Sequence, residues 1–283
     1  KLLKSAHAVD RECRVMTALH DTDVPVPKTF GYCDDETIIG TPFFVMDHVI
    51  GNIYWELLLP GCDPNQRREI YLSMNDTIAK LHNVDFDKVN LADYGKHENY
   101  MDRQIHRWTK QYKDSETQMI PEINELIEWL PKNIPSDQET SIVHGDFRLD
   151  NMIFDPITHE VKAILDWELS TLGNPIADFT YHMMSWRLPA GAKGLGMMGS
   201  DLKSLNIPSE NEYAELYYKK TGREKIDNWD FYMAYNIFRL AGIAQGIVGR
   251  VRDGTASSSE AKNYEAFVPI LGKLGWSIVE GIK

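Results

Sequence analysis

The sequence predicts an α+β fold with two lobes, a small lobe that carries strands and a large lobe that is mainly helical. Strand-like segments are concentrated before Gly51, where the prolines of VPVPKTFGYC disfavour helix. After Gly51 the apolar residues mostly follow helical spacing, interrupted by one region that resembles a hairpin. We therefore expect a first domain at residues 1–50 and a second at residues 51–283.

The first expected element is a helix over residues 5–19. Ala8, Val15 and Leu19 recur at the spacing of one helix face, and Glu12 falls on the same face. Glu12 is then either a tolerated carboxylate at the edge of that face or an inward glutamate that pairs with a lysine or arginine.

Two strands are expected next, followed by helices. The segment TIIG and residues 43–49 have the β-branched and aromatic composition typical of strands. The stretch PNQRREIYLSMNDTIAKLHNV predicts a helix, because a proline lies in its first turn and its apolar residues recur at helical spacing. Further helices are expected at residues 100–113, 121–130, 176–186, 210–221, 228–250 and 259–280.

The composition limits the kind of protein. A formal net charge of -12 argues against a surface for nucleic acid or an anionic membrane, because such a surface must be basic. No apolar run reaches the roughly 20 residues that span a bilayer. Cys13, Cys33 and Cys62 are scattered and odd in number, which suits a reducing compartment. We expect a soluble intracellular protein, cytoplasmic in a bacterium and mitochondrial or peroxisomal in a eukaryote.

A hairpin is predicted from NMIFD to VKAILDW, with PITHE as its turn. Counted outward from the turn, whose centre is near residue 158 or 159, Asn151 and Asp166 lie about equally far away, so antiparallel pairing brings them side by side. An amide oxygen and a carboxylate form a hard, all-oxygen half-site, which suits Mg²⁺. The sequence therefore predicts a magnesium site at the open end of the hairpin.

The loop that enters the hairpin carries two further charges. Asp146 lies five residues before Asn151, and Arg148 follows two residues after Asp146. An acceptor for a hydroxyl proton, a metal site and a fixed positive charge are what phosphoryl transfer requires, because catalysis there is mainly positioning and charge neutralisation. Taken singly, HGD could be a turn and Asp166 a helix cap; their combined spacing favours the catalytic interpretation.

The segments HGDFRLDN and ILDWE resemble the catalytic motifs of the aminoglycoside and choline phosphotransferases, a branch of the protein-kinase-like superfamily. The resemblance implies a bilobal protein-kinase-like fold and an ATP- and Mg²⁺-dependent kinase with an alcohol group as acceptor. It implies Asp146 as the catalytic base, and Asn151 and Asp166 as Mg²⁺ ligands. His144 and Asp178 are implied to support the catalytic loop.

The resemblance also assigns residues to the nucleotide. Glu12 matches the helix glutamate that pairs with the ATP-contacting lysine of the family. FVMDHV resembles the hinge between the lobes, which implies Met46 as the gatekeeper and the backbone of Asp47 and Val49 as the contacts to adenine.

The family has a glycine-rich loop and a lysine or arginine upstream of this glutamate. Lys1 and Lys4 lie too close to Glu12 to fill that role. We expect the full protein to supply the segment, so that residues 1–50 are a partial lobe. The alternative is a protein that lacks it and has weakened nucleotide binding.

Longer segments of the sequence resemble particular members of this family. AVDRECRVM, VPVPKTFGYCDD, LDWELSTLGNPIAD and NWDFYMAYNIFRLAGIAQG are similar to the kinase-like domain of acyl-CoA dehydrogenase family members ten and eleven. This implies a 4-hydroxy fatty acid or its CoA thioester as acceptor, and a fused or associated acyl-CoA dehydrogenase domain as partner. The alternatives are an aminoglycoside- or choline-type kinase, and a nucleotide-binding pseudokinase that docks on a dehydrogenase.

The acceptor pocket is expected to involve the C-terminal helices. Arg239 and Arg250 lie eleven residues apart on one predicted helix, so they share a face. They could hold an acidic acceptor or form ordinary surface ion pairs. The candidate acceptor contacts are Trp167, Glu168, Arg239, Gln245 and Arg250.

Overall fold

A computed structural model describes residues 8–136, 139–191, 194–254 and 261–282, with the side chains of 261–263 left out. Within these ranges the helices are α1 Val9–Leu19, α2 Glu36–Ile39, α3 Pro64–Asn83, α4 Tyr100–Ser115, α5 Pro121–Trp129, α6 Pro175–Met183, α7 Leu202–Leu205, α8 Glu210–Thr221, α9 Trp229–Arg252 and α10 Ala261–Ile282. The strands are β1 Thr29–Cys33, β2 Phe43–Met46, β3 Ser141–Val143, β4 Met152–Phe154, β5 Val161–Ile164 and β6 Thr171–Gly173. None of these helices is long and apolar enough to cross a membrane.

The chain folds into two compact units, each assembled from two stretches of sequence. One contains the residues up to Lys96 together with Thr140–Lys225, and the other contains His97–Glu139 together with Ile226–Lys283. This division concerns compactness and does not test the expected domains at 1–50 and 51–283, which stay a prediction.

Helix α1 begins at Val9, and the part of the expected helix over residues 5–7 lies outside the described residues. Its buried face consists of Cys13, Val15, Met16 and Leu19. Glu12 is half-buried, so it lies at the edge of that face and not within it.

The strand expected at TIIG is wrong, because Glu36–Ile39 form the short helix α2. The Asp35 carboxylate accepts hydrogen bonds from the backbone N–H of Thr37 at 2.9 Å and from its hydroxyl at 2.6 Å. Side chains favour a strand mainly through packing on a sheet, and both isoleucines of this segment are 60% exposed. Without that packing, the local cap decides the conformation.

Helix α3 follows from its predicted pattern. Asp63 forms a capping box with Gln66, and Pro64 occupies the first helical position. The apolar stripe Ile70, Met74, Ile78 and Leu81 is completely buried. Burial of such a stripe, at roughly 2 kcal/mol per large side chain, is the main force that holds a helix in place.

In the second unit α9 packs against α4 and α10. A Cβ on Gly249 would lie 2.7 Å from the Cβ of Ser115. Only glycine therefore allows α9 to approach α4 this closely at that position.

The predicted hairpin is present. β4 and β5 pair antiparallel, with Met152 opposite Ile164 and Ile153 opposite Ala163. Before it, β3 pairs with β6, also antiparallel. These two ladders determine where the segments that carry the predicted catalytic residues emerge.

Candidate active site

The predicted catalytic loop, residues 144–151, begins where the buried strand β3 ends. The backbone N–H groups of His144 and Gly145 both donate to the carboxylate of Asp178, at 2.9 Å each. Gly145 has φ +83°, a conformation that residues with a side chain rarely adopt. The first turn of the loop is therefore held by one buried carboxylate on α6.

The Asp178 carboxylate is buried and hydrogen-bonded to a further side chain. It is 3% exposed, and its Oδ2 lies 3.2 Å from Nε2 of His82, whose Nδ1 lies 2.7 Å from the hydroxyl of Tyr217. Burial alone raises the pKa of a carboxyl group. The hydrogen bond from His82 and the charges and donors around Asp178 outweigh this effect and lower its pKa. Asp178 is consequently a charged acceptor for the donors around it.

The Asp146 carboxylate is oriented by two donors. The Tyr181 hydroxyl donates to Oδ1 at 2.7 Å, and Nδ2 of Asn151 donates to Oδ2 at 3.2 Å and to the Asp146 carbonyl at 2.9 Å. Nε of Arg148 lies farther away, 3.7 Å from Oδ1, and the same guanidinium donates to Asp150. The structure therefore brings together Asp146, Arg148 and Asn151, as the spacing predicts.

His144 connects this loop to the end of the hairpin. Its Nδ1 accepts from the N–H of Asp146 at 3.2 Å, so Nε2 carries the proton and donates to the Leu165 carbonyl at 3.0 Å. Complete burial lowers the pKa of His144, more than the neighbouring carboxylates raise it. The neutral imidazole of His144 thus bridges the backbone of Asp146, the predicted base, and that of Leu165, the residue before Asp166.

Asn151 and Asp166 occupy adjacent strand ends. The N–H of Leu165 donates to the Asn151 carbonyl at 2.8 Å, which continues the β4–β5 pairing to the residue before Asp166. Asp166 is exposed and has φ 64°, an unusual backbone conformation that is common at functional sites.

These residues fit Mg²⁺. Because Nδ2 of Asn151 is used on Asp146, its amide oxygen is the atom left for a cation. That oxygen and the exposed Asp166 carboxylate give one or two hard oxygen ligands, which is what a magnesium site with phosphates and water needs. Within the described ranges there is no group of three or more histidine, cysteine, aspartate and glutamate residues that could hold a metal by itself.

Tyr181 and His182 are the site residues that sequence reasoning missed. His182 is buried, and its Nε2 lies 3.0 Å from the Tyr213 hydroxyl. Its ring also hydrogen-bonds the backbone of Phe147, and burial lowers its pKa to about 4. The available signal was their spacing, because residues three and four positions after Asp178 on a helix share its face.

The nucleotide candidates lie in the same compact unit as the catalytic loop. Met46 ends β2 and is 40% exposed. The N–H of Asp47 donates to the Lys28 carbonyl at 2.8 Å. Val49 and Glu12 are half-buried. Lys1 and Lys4 lie outside the described residues, and the adenine and ATP contacts stay predictions.

Two of the candidate acceptor contacts follow the hairpin. Trp167 is completely buried; its indole N–H donates to the Ile164 carbonyl at 3.0 Å and its ring lies 4.7 Å from that of His144. This places Trp167 in the core behind the loop, without surface for an acceptor. Glu168 is exposed.

The other candidates lie on α9. Arg239 is buried, with its guanidinium 5.3 Å from the Trp108 ring, whereas Arg250 is exposed. Gln245 is buried and donates to the Ser115 carbonyl at 2.6 Å and to the Thr117 hydroxyl at 3.1 Å. Gln245 therefore stabilises the chain after α4, and an acceptor contact of the two arginines stays a prediction.

Gly145→Ala is expected to lower the free energy of unfolding by about 3 kcal/mol, from backbone strain plus a steric clash. A Cβ at this position would lie 2.7 Å from the Leu169 carbonyl oxygen. Gly199 is a matched control, because its φ is +93° but nothing lies within 4 Å of an added Cβ. Gly199→Ala should cost only about 1 kcal/mol. Urea denaturation measures both losses, and equal losses would contradict the clash.

Comparison with known proteins identifies relatives over nearly the whole chain. The phosphotransferase enzyme family matches residues 2–215. Acyl-CoA dehydrogenase family member 10 of Mus musculus is 45% identical over 276 residues, covering 97% of this chain and 26% of that protein. Acyl-CoA dehydrogenase family member 11 of Homo sapiens is 40% identical over 276 residues, covering 97% and 35%. The chain thus spans about a quarter to a third of the length of these relatives.

Solved structures share the fold. A Ralstonia eutropha JMP134 protein classed with the aminoglycoside phosphotransferases is 49% identical, with a TM-score of 0.93 over 97% of this chain and 84% of that one. The GDP complex of aminoglycoside 2'-phosphotransferase-IIIa has a TM-score of 0.62 at 11% identity, over 98% and 84%, and this likeness concerns the fold alone. The predicted protein-kinase-like fold class is confirmed. Because the family model matches residues 2–215 and a relative that is 45% identical covers 97% of the chain, the chain belongs to the phosphotransferase enzyme family.

Proposed function

We propose that this chain is an ATP- and Mg²⁺-dependent kinase that transfers the γ-phosphoryl group to a hydroxyl of a small molecule. The observation that carries the proposal is the Asp146 carboxylate, oriented by Tyr181 and Asn151 next to the strand end that carries Asp166. An oriented carboxylate beside hard oxygen ligands is the arrangement that phosphoryl transfer needs.

The reaction assigns a distinct task to each residue. The acceptor hydroxyl oxygen forms a bond to the γ-phosphorus while the bond from that phosphorus to the ADP oxygen breaks, and Asp146 orients the hydroxyl and accepts its proton. Asn151 and Asp166 hold Mg²⁺, which when bound neutralises charge on the phosphate oxygens. Arg148 places a positive charge beside Asp146.

The remaining residues support the site. Asp178 and His144 hold the loop through the hydrogen bonds described above. At the hinge, Met46 and the backbone of Asp47 and Val49 would hold the adenine of ATP. These hinge contacts rest on the resemblance to the family, which also implies that Glu12 pairs with an ATP-contacting lysine.

The acceptor is proposed to be a 4-hydroxy fatty acid or its CoA thioester. The support comes from the relatives, which are named as acyl-CoA dehydrogenase family members and are 40% and 45% identical to this chain. They are also about three times its length or more, so a fused or associated dehydrogenase domain is proposed as the partner. A phosphorylated hydroxyl is a leaving group that such a domain could process.

An aminoglycoside acceptor is the second candidate. The Ralstonia eutropha protein, 49% identical to this chain, is classed with the aminoglycoside phosphotransferases. The two candidates differ in charge, since fatty acids and CoA thioesters are anionic and aminoglycosides are cationic. The acceptor test therefore separates them directly.

The experiment incubates the protein, with any sequence that adjoins this chain naturally, with ATP and a panel of acceptors. The panel contains 4-hydroxy fatty acids, their CoA thioesters, aminoglycosides and choline, each with Mg²⁺ and with excess EDTA. Mass spectrometry of the acceptor detects the added phosphoryl group. Transfer to 4-hydroxy compounds that requires Mg²⁺ supports the proposal. Transfer only to aminoglycosides or choline refutes the acceptor, and nucleotide binding without transfer to any acceptor refutes the kinase.

A further inference from the structure

We propose that Tyr181 is a positioning residue that sets the orientation of the Asp146 carboxylate for phosphoryl transfer. This inference rests on the proposed function and adds to it a residue that lies outside the predicted catalytic motifs. Tyr181 lies on α6, outside both HGDFRLDN and ILDWE.

The geometry gives each oxygen of Asp146 its own donor. The Tyr181 hydroxyl lies 2.7 Å from Oδ1, and Nδ2 of Asn151 lies 3.2 Å from Oδ2. The terminal torsion of an aspartate is otherwise broad, so a single donor would leave the carboxylate plane free to rotate. Donors on both oxygens restrict this rotation, and an ionised carboxylate still has acceptor capacity for a substrate hydroxyl.

The shorter of these two hydrogen bonds comes from Tyr181, which is held on helix α6. Helix α6 is capped by Asn174, whose side chain accepts from the N–H groups of Ile176 and Ala177 at 2.9 Å each. Asp178, one turn before Tyr181, holds the backbone of the same loop. One helix therefore fixes both the path of the loop and the side chain of its proposed base.

Arg148 does not replace Tyr181 in this task. Its Nε lies 3.7 Å from Oδ1 of Asp146, beyond a hydrogen bond, and its terminal nitrogen donates to Asp150. Tyr181 is also only 4% exposed, so it acts through Asp146 and not by contact with an acceptor. A neutral hydroxyl orients the carboxylate without adding a full positive charge beside it.

The test is Tyr181→Phe, which removes the hydroxyl and keeps the ring. We expect kcat to fall about 10-fold, the effect of one hydrogen bond to a charged group, while KM for ATP and for the acceptor changes less than about twofold. Tyr112→Phe is the matched control, since the Tyr112 hydroxyl is buried and makes no hydrogen bond within the described residues. It should leave both parameters unchanged.

A crystal structure of each variant supplies a readout that needs no turnover. In Tyr181→Phe the Asp146 carboxylate should rotate or occupy several orientations, while the loop backbone stays in place. An unchanged, single carboxylate orientation overturns the proposal, as does an unchanged kcat in an active enzyme. An increase in KM without loss of kcat would also overturn it, because Tyr181 would then serve binding. If the wild type phosphorylates no acceptor, the proposed function fails, and the carboxylate orientation alone decides the role of Tyr181.

Discussion

Asp146→Asn is expected to reduce kcat about 1,000-fold, within the range that a positioned acid or base contributes. The amide cannot accept the hydroxyl proton, and it loses the negative charge that orients the hydroxyl. Its oxygen can still accept from Tyr181, and Asn151 keeps its bond to the backbone carbonyl at 2.9 Å. The fold and the metal ligands should therefore persist.

Three measurements separate a loss of catalysis from a loss of nucleotide binding or of folding. A coupled ADP assay gives kcat, calorimetry gives the Kd for Mg-ATP, and a thermal melt gives Tm. Only kcat should change substantially. Asp102→Asn, at an exposed aspartate on α4, is the control and should leave all three unchanged. A kcat within tenfold of the wild type for Asp146→Asn would contradict a role for Asp146 as the base.

Asp178→Ala is expected to lower the free energy of unfolding by about 3–5 kcal/mol, since it breaks a buried charge network. The N–H groups of His144 and Gly145 would lose their acceptor in a region that water does not reach, and His82 would lose the same partner. Each buried donor left unpaired costs about 1–3 kcal/mol. Activity should be lost along with the loop conformation.

Asp201→Ala is the control for this prediction. Asp201 also accepts a backbone hydrogen bond, from Ser204 at 3.1 Å, but it is exposed and caps only α7. Its loss should cost about 1 kcal/mol, because water replaces the missing acceptor. Equal destabilisation of the two variants in urea denaturation would contradict the network.

The same network has a pH signature. The pKa of Asp178 in the fold lies below its ordinary value of 3.8. Its contribution is therefore complete above that value and is lost as the pH falls through the lower, folded-state pKa. The stability of Asp178→Ala should lack this acid-dependent loss, and the comparison with wild type by urea denaturation at decreasing pH measures it.

Local sequence patterns predicted the helices and the hairpin well where caps and turns within the segment determine the conformation. Helix α8 has the predicted bounds, 210–221, because a serine cap and a glycine end mark it in the sequence. The pairing of β4 with β5 followed from a turn with few possible registers, but a register shift between Ile153 and Phe154 places Asn151 opposite Leu165, one residue before Asp166. The residue types and spacing of HGDFRLDN indicated phosphoryl transfer without any knowledge of tertiary contacts.

Burial and long-range partners were not predictable in this way. TIIG has strand-forming residues, yet a local cap makes it a helix, because both of its isoleucines stay 60% exposed and gain no packing as a strand would. Trp167 and Gln245 have the chemistry of acceptor contacts, yet one is enclosed behind His144 and the other is bound to the chain after α4. Tyr181 has no motif, yet it donates to the proposed base.

The sequence by itself determined the family, the fold class and the identity of the residues that carry charge at the site, because these depend on residue type and spacing along the chain. Only the tertiary structure decided which side chains hold those charges in place. Asp178 meets the backbone of His144 and Gly145, and Tyr181 meets Asp146, in each case across more than 30 residues of chain. The packing of α6 against the catalytic loop creates that meeting, and no local pattern contains it.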